Sequence, residues 1–353
     1  MIAFRVDASE ELGLGHLVRC ITLSDVFPED KVLFVCKENP IVKRILKTKM
    51  VEYLPANCHL ESELDILDET LASHQIRLLI SDLLVYPFGY FPKVKRDNRK
   101  LITFHEFQTS DEYSDIVINY NTFDGFETFQ LSEPPHCLGP SYVILNPSFR
   151  ELKHKRKRIG TVRNILITMG GSDPKGITIK ALNALAPISG DVEVTIHVGP
   201  AFRFKDELSR LSEKLQKNYT IRENVKVIAE LMSNADIALA SGGNSMYELA
   251  YLGIPSIIIC QNRHQNEFAS TLHKKEAIVN MGLVDCVSGS DILNTVTQLA
   301  EDIERRKKMR SISERLVDGK GLSRLTNKIN RLMGGWSELP DEGQFSSSQK
   351  PFV

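Results

Sequence analysis

The stretch ADIALASGGNSMYELAYLGIP, residues 235–255, reads as a short apolar strand, a Gly-rich turn and an amphipathic helix in direct succession. The strand delivers Ser241, Gly242 and Gly243 to the mouth of the helix. Glycines let a backbone approach an anion closely, and the first turn of a helix offers N–H groups and the positive end of its dipole. Asn244 and Ser245 add side-chain donors, which makes the segment suited to cradling a diphosphate. One turn further in, the Glu248 carboxylate can accept both hydroxyls of a ribose while its neighbours hold the phosphates. The alternative without a ligand is a helix-face glutamate that balances the dipole.

Working outward, apolar runs NILITMG, VEVTIHVG, VKVIAE and PSIIIC alternate with helical segments, which is the rhythm of a parallel α/β sheet. Ligands of such sheets bind beyond the carboxyl ends of strands, so the junctions there carry the functional reading. After NILIT comes MGGSDPKG. Gly170 and Gly171 allow close backbone approach, Ser172 or Asp173 can cap the next helix, and Pro174 fits its first turn. After PSIIIC comes CQNRHQNEFAS, with His264, Gln265 and Asn266 at a helix start, a hydrogen-bonding cluster suited to a polyhydroxylated or phosphorylated ligand. Turns, caps and a solvated loop account for either junction taken alone.

The first half shows the same rhythm in IAFRVD, KVLFVC, RLLISDLL, KLITFHE and DIVINY, with amphipathic stretches at 17–26 and 64–73. Its first junction is RVDASEELGLGHLVRC. A strand ends near Asp7, Gly13 and Gly15 shape a tight backbone, and His16 and Arg19 lie on the helix after them. Histidine at a helix start facing an anion suits acid–base work near neutral pH. As a structural feature it is a polar cap on a turn.

The chain has 353 residues, enough for two domains of roughly 150 residues each. The expected division is 1–150 for an N-terminal Rossmann-like domain, to which the resemblance described below assigns the sugar side, 151–163 for the basic linker ELKHKRKRIGTVR, 164–333 for a nucleotide-binding C-terminal domain, and 334–353 for a disordered Gly/Ser/Pro-rich tail. Hydrophobic residues form 42% and charged residues 25%, and 44 Lys plus Arg against 45 Asp plus Glu give no reason to expect a nucleic-acid partner. Six scattered cysteines without a CxxC pair argue against a zinc cluster or a disulfide scaffold, and against export. There is neither a basic signal region nor an apolar stretch of about 18 residues, so a cytoplasmic monomer without membrane insertion is expected. No metal and no cofactor are expected, since no cluster has ligand spacing and no GxGxxG is followed by an acidic residue about 20 positions on.

Together, FRVDASEELGLGHLVRC (4–20), LGPSYVILNPSFRE (138–151), ILITMGGSDP (165–174) and SGGNSMYELAYLGIP (241–255) resemble the nucleotide-sugar hydrolases of bacterial nonulosonic acid synthesis, which act on UDP-2,4-diacetamido-2,4,6-trideoxy-β-L-altropyranose in the pseudaminic acid pathway, and the related spore-coat polysaccharide proteins. The resemblance covers roughly residues 1–280. It implies a GT-B-like fold of two Rossmann-like domains with an interdomain cleft. Glu248 would take the ribose of UDP, and Asn244, Ser245 and the preceding Gly242 and Gly243 the diphosphate, with Ser241 in the wider substrate-binding set. Gln265 would add a ligand contact, backbone groups around Ile228 would read the base, and His16 would sit beside the anomeric centre. Asp7, Gly13, Gly15, Arg19, Gly170, Gly171, Ser172 and Asp173 complete the expected substrate-binding set, with His16 and His264 as catalytic candidates. Two departures stand out. Leu83 and Leu84 follow Asp82 where the hydrolase typically has His-Tyr, and His264-Gln265 replaces an Asn-Gln pair. The implied reaction is metal-independent hydrolysis releasing UDP. An inverting transferase of the same fold and a non-catalytic nucleotide-sugar binder are the competing readings.

Overall fold

The computed structural model describes residues 1–57, 59–96, 98–106, 112–121, 136–154, 159–188, 191–213, 218–223 and 225–334. The contacts divide the described chain into two compact units, one of residues 1–121, 136–145 and 320–334, the other of residues 146–319.

In the first unit, strands β1 (Ile2–Val6), β2 (Val32–Lys37), β3 (Val51–Leu54), β4 (Leu78–Asp82), β5 (Lys100–Phe104), β6 (Ile116–Asn119) and β7 (His136–Leu138) form one sheet in the order β3-β2-β1-β4-β5-β6-β7. Every pairing is parallel. Strands covered on both faces are written as unbroken apolar runs, and all five residues of β1 are buried. Ala3, Leu33, Val35, Leu79 and Leu101 face one side, where Leu64, Leu67 and Leu71 of α3 (Leu60–Ser73) pack on them at helical spacing. Phe4 and Phe34 face the other side and stack at 5.3 Å between ring centroids. Helix α1 (Gly15–Ser24) follows β1, while α2 (Pro40–Ile45) and α4 (Tyr90–Val94) are short.

In the second unit, α5 (Ser148–Lys153) precedes a six-stranded sheet of β8 (Asn164–Thr168), β9 (Glu193–Val198), β10 (Tyr219–Glu223), β11 (Ile237–Ala240), β12 (Ser256–Cys260) and β13 (Val279–Leu283), ordered β10-β9-β8-β11-β12-β13. The helices are α6 (Ile177–Leu185), α7 (Lys205–Ser212), α8 (Ile228–Asn234), α9 (Asn244–Leu252), α10 (Arg263–Lys274), α11 (Gly289–Glu301) and α12 (Ile303–Leu316). Ile165, Ile167, Val194, Ile196, Leu239 and Ile257 build the core against Leu182 and Leu185 of α6 and Ile292, Val296 and Leu299 of α11. The second sheet therefore has the doubly wound order 3-2-1-4-5-6 and the first has the same order with a seventh strand added, and in each the connection direction reverses beside the first strand, leaving a crevice at the carboxyl ends.

Some sequence expectations are corrected. The run VKVIAE does not form a strand: residues 225–227 are irregular and Ile228 begins α8. The strand position is taken by YTIRE of β10, whose Tyr219 and Ile221 pack on the core. The segment from 148 to 153, placed partly in a linker, is helix α5 packed on α8 and α9. The last helix, α13 (Gly321–Leu332), groups with the first unit rather than the second. There Arg324 Nη1 donates to Ser141 O at 2.7 Å. A Cβ on Gly321 would lie 2.1 Å from Val143 O, so only glycine permits this approach. The expected disordered tail, apart from Gly334, lies outside the described residues, as do 155–158 of the basic run.

Candidate functional site

In the first unit the switch point lies between β1 and β4, where Val6 pairs with Asp82. Helix α1 opens from the β1 loop without a side-chain cap. Its loop is held by Ser9, whose Oγ accepts from Glu11 N and Leu12 N, and by Gly13, whose φ of +81° is the left-handed region that favours glycine. This places His16 in the first turn, with Nδ1 2.7 Å from Asp82 Oδ1. Arg19, one turn on, donates from Nε to Asp82 Oδ2 and from Nη2 to Oδ1, each at 2.5 Å, and from Nη1 to Tyr120 Oη at 2.5 Å.

Asp82 is buried at 1% exposure. Burial alone would raise its pKa, but the Arg19 guanidinium and His16 overcome that and hold the carboxyl well below the ordinary range. A carboxylate accepts only, so assigning the imidazole proton to Nδ1 satisfies Asp82 and leaves Nε2 with its lone pair. Arg19 Nη2 and His16 Nδ1 are 2.8 Å apart as two donors to the same oxygen. Glu106, just beyond β5, places Oε1 3.6 Å from His16 Nε2 and 3.6 Å from Arg19 Nη1. The imidazole thus lies between two carboxylates, Asp82 on the Nδ1 side and Glu106 on the Nε2 side.

Two expected ligand contacts have other work in the structure. Asp7 accepts from Arg5 at 2.6 and 2.9 Å and from Lys37 N at 2.8 Å, so its carboxylate fixes the β1 loop. Arg19 is buried at 4% exposure and positions Asp82. The family tyrosine missing at Leu84 has a neighbour in Tyr86, but the single hydroxyl proton of Tyr86 is taken up by the backbone, with Ser81 O at 2.7 Å and Phe104 O at 2.9 Å sharing it.

In the second unit the loops after β8, β9, β11 and β12 meet at the carboxyl edge. Gly170 has φ +81°. A Cβ on Gly199 would stand 2.3 Å from Gly170 O and 2.5 Å from Gly171 O, so two backbones touch there. Ser241 Oγ donates to Met169 O at 3.3 Å, tying the β11 loop to the β8 loop. Ser172 is buried, and the Asp173 carboxylate accepts from Ile177 N at 2.9 Å and Thr178 N at 2.8 Å, which makes it the cap of α6. Helix α9 begins at Asn244 with Gly243 before it and no side-chain cap. Gly242 lies against α10: a Cβ there would be 2.8 Å from Gln265 Cβ. Gln265 Oε1 accepts from Gln261 N at 2.9 Å, which turns its amide nitrogen toward the Gly242-Gly243 turn. Desolvation raises Glu248 to about 7, with the Ser245 hydroxyl pulling the other way. His264 is half-buried in the first turn of α10, and Ile228 opens α8 beyond β10.

The structure therefore brings Gly170, Gly171, Ser241, Gly242, Gly243 and Gln265 together at one edge, and adds Gly199 and the α10 cap Asn262, which were not anticipated. In the first unit it adds Asp82, Glu106 and Tyr120 to His16. Each ends or follows a strand with a polar residue after an apolar run, which is the signal that could have found them.

Two Rossmann-like units with this architecture define a chain of the GT-B type. Residues 165–323 match the model of the glycosyltransferase family 28 C-terminal domain. Among curated relatives, the spore coat polysaccharide biosynthesis protein SpsG of Bacillus subtilis is 29% identical over 325 residues, covering 91% of this chain and 95% of that protein. The UDP-2,4-diacetamido-2,4,6-trideoxy-β-L-altropyranose hydrolase of Campylobacter jejuni is 22% identical over 286 residues, covering 78% of this chain and 96% of its own length. Among solved structures, MurG of Acinetobacter baumannii aligns over 94% of this chain and 99% of its own with a TM-score of 0.68 and 13% identity, a likeness of fold. Among the described residues, no helix is long and apolar enough to cross a membrane.

Proposed function

We propose that the protein hydrolyses a UDP-linked amino-deoxy sugar, releasing UDP and the free sugar for the synthesis of a nonulosonic acid or surface polysaccharide. The observation that carries this reading is the contact of His16 Nδ1 with buried Asp82 at 2.7 Å, which leaves Nε2 as a base at a Gly-rich helix start. The similarity to the Campylobacter hydrolase supports the choice of reaction and of nucleotide. Water loses a proton to His16 Nε2 as its oxygen bonds to C1, and the C1–oxygen bond to the diphosphate breaks. The leaving diphosphate takes the bonding pair, and its charge is met by the first turn of α9 and the Gly242-Gly243 amides. Glu248 accepts from the ribose hydroxyls, and backbone near Ile228 contacts the base. His264 stands in reserve as an alternative base. The chemistry assigned to these residues needs no metal.

The test is to follow free nucleotide from UDP-, GDP- and CMP-sugars with and without EDTA. UDP release without an acceptor, insensitive to EDTA and lost in His16→Ala, is expected. Absence of release from every sugar until an acceptor is supplied overturns it. That outcome favours the second reading, an inverting glycosyltransferase, for which the family 28 domain speaks. UDP binding without turnover under either condition would instead indicate a non-catalytic binder.

A further inference from the structure

The second unit carries a cavity that this chemistry does not use. It is an open depression of about 670 Å³ between the end of α5 and one face of α12, lined by Lys153, Lys307, Arg310 and Arg315, with Glu314 as its one acidic lining residue. The chain as a whole has a net charge of −1, so four cations around one carboxylate are a local concentration rather than a reflection of composition. Lys307 and Arg310 are neighbours one turn apart on α12 and Arg315 lines the same hollow two turns from Lys307, roughly 12 Å further along the axis at 1.5 Å per residue. Lys153 reaches the same space from a segment remote in sequence.

Two of these cations are held in place. The Lys153 ammonium lies 4.2 Å from the centroid of the Tyr251 ring. Arg310 Nε donates to Gly253 O, the residue that ends α9, at 2.9 Å. The other two are exposed, and their local partners are weak ones: Lys307 pairs with exposed Glu304 at 2.7 Å, and Arg315 Nε donates to Ser311 O at 3.2 Å. Guanidinium forks and ammonium groups around one hollow match phosphate oxygens, and four cations against one carboxylate offer more positive charge than a single phosphate neutralises.

We propose that this cavity binds a small anion carrying two or more phosphate groups, at a site separate from the sugar-nucleotide site. Binding there does not depend on the nucleotide reading. The experiment is calorimetric titration of the full-length protein with inorganic pyrophosphate at low ionic strength, repeated with excess UMP, whose single phosphate lies outside the proposed ligand class, to occupy the α9 cradle. Expected is a pyrophosphate site that persists with UMP present and weakens at least tenfold in Lys307→Glu/Arg315→Glu. The milder pair Lys307→Gln/Arg315→Gln weakens it less, and its unchanged melting temperature without anion shows the fold intact. Wild-type affinity in both double variants, loss of all pyrophosphate binding on adding UMP, or no binding to the wild type overturns the proposal.

Discussion

His16 Nδ1 and Asp82 Oδ1 stand 2.7 Å apart although 66 residues separate them in the chain. One comes from the first turn after β1 and the other from the last position of β4, and the register Val6 to Asp82 brings them level. His16→Ala is expected to lower the rate of UDP release about 10²–10⁴-fold, the usual share of a general base. UDP affinity, measured by calorimetry, should change little. Asp82→Asn should lower turnover in the same direction and also destabilise the first unit, because Arg19 loses its buried partner.

Glu248 gives a pH dependence with a defined sign. Its folded-state pKa is raised to about 7 by desolvation. Only the carboxylate accepts from both ribose hydroxyls, so UDP affinity should rise about tenfold between pH 6 and pH 8 as the group ionises. Stability of the free protein runs the other way. The folded state holds the proton more tightly than the unfolded state, so this group's contribution is full below the ordinary carboxyl range and is lost as pH rises toward about 7. Titrations of Glu248→Gln, in which both dependences should flatten, check the assignment.

Gly242→Ala places a methyl 2.8 Å from Gln265 Cβ and 3.0 Å from Gln265 O. Backbone cannot yield there without moving α10, so a cost of about 1–3 kcal/mol is expected. The loss should be visible as a lower melting temperature together with weaker UDP binding. Wild-type values for both would show that the turn and α10 are not packed as described.

Arg5 sits at 1% exposure between Asp7 and Glu63. Arg5→Met removes the shared cation and leaves two carboxylates in its place, at an expected cost of about 3–5 kcal/mol in denaturant unfolding. Because Asp7 also holds Lys37 N, the β1 loop should loosen and turnover should fall with stability.

Much of this fold was legible because parallel strands buried on both faces write themselves as apolar runs. IAFRV, LLISD, NILIT and SIIIC each became strands where the runs stand. Edge strands were not. VEYL of β3 and YTIRE of β10 are partly exposed and mix polar with apolar residues, so their pattern is weak. Val225 and Val227 imitated a strand ahead of α8, where IAELMSN is helix-forming and continuous. The Gly-rich junctions of the candidate site could be read because glycine marks close approach before any fold is known. Glu106 and Tyr120 follow apolar runs and so stand at strand ends, but their meeting with His16 and Arg19 rests on the sheet order, which sets β5 and β6 on the β4 side. Asp7 was placed among the substrate contacts, but its direction is decided by Arg5, whereas Asp173, read both as a ligand contact and as a cap for the next helix, holds the first amides of α6.

The return of α13 to the first unit alters what kind of gene product this is. Among the described residues the second unit is an insertion, entered at 145–146 and left at 319–320. Residues 146–319 can be excised as one contiguous piece, whereas a fragment ending at residue 145 lacks the helix whose Leu322, Leu325 and Ile329 are buried. A stop codon or frameshift ahead of α13 therefore removes part of the first unit along with the second, and a single cut at 145–146 leaves the first unit without its last described helix.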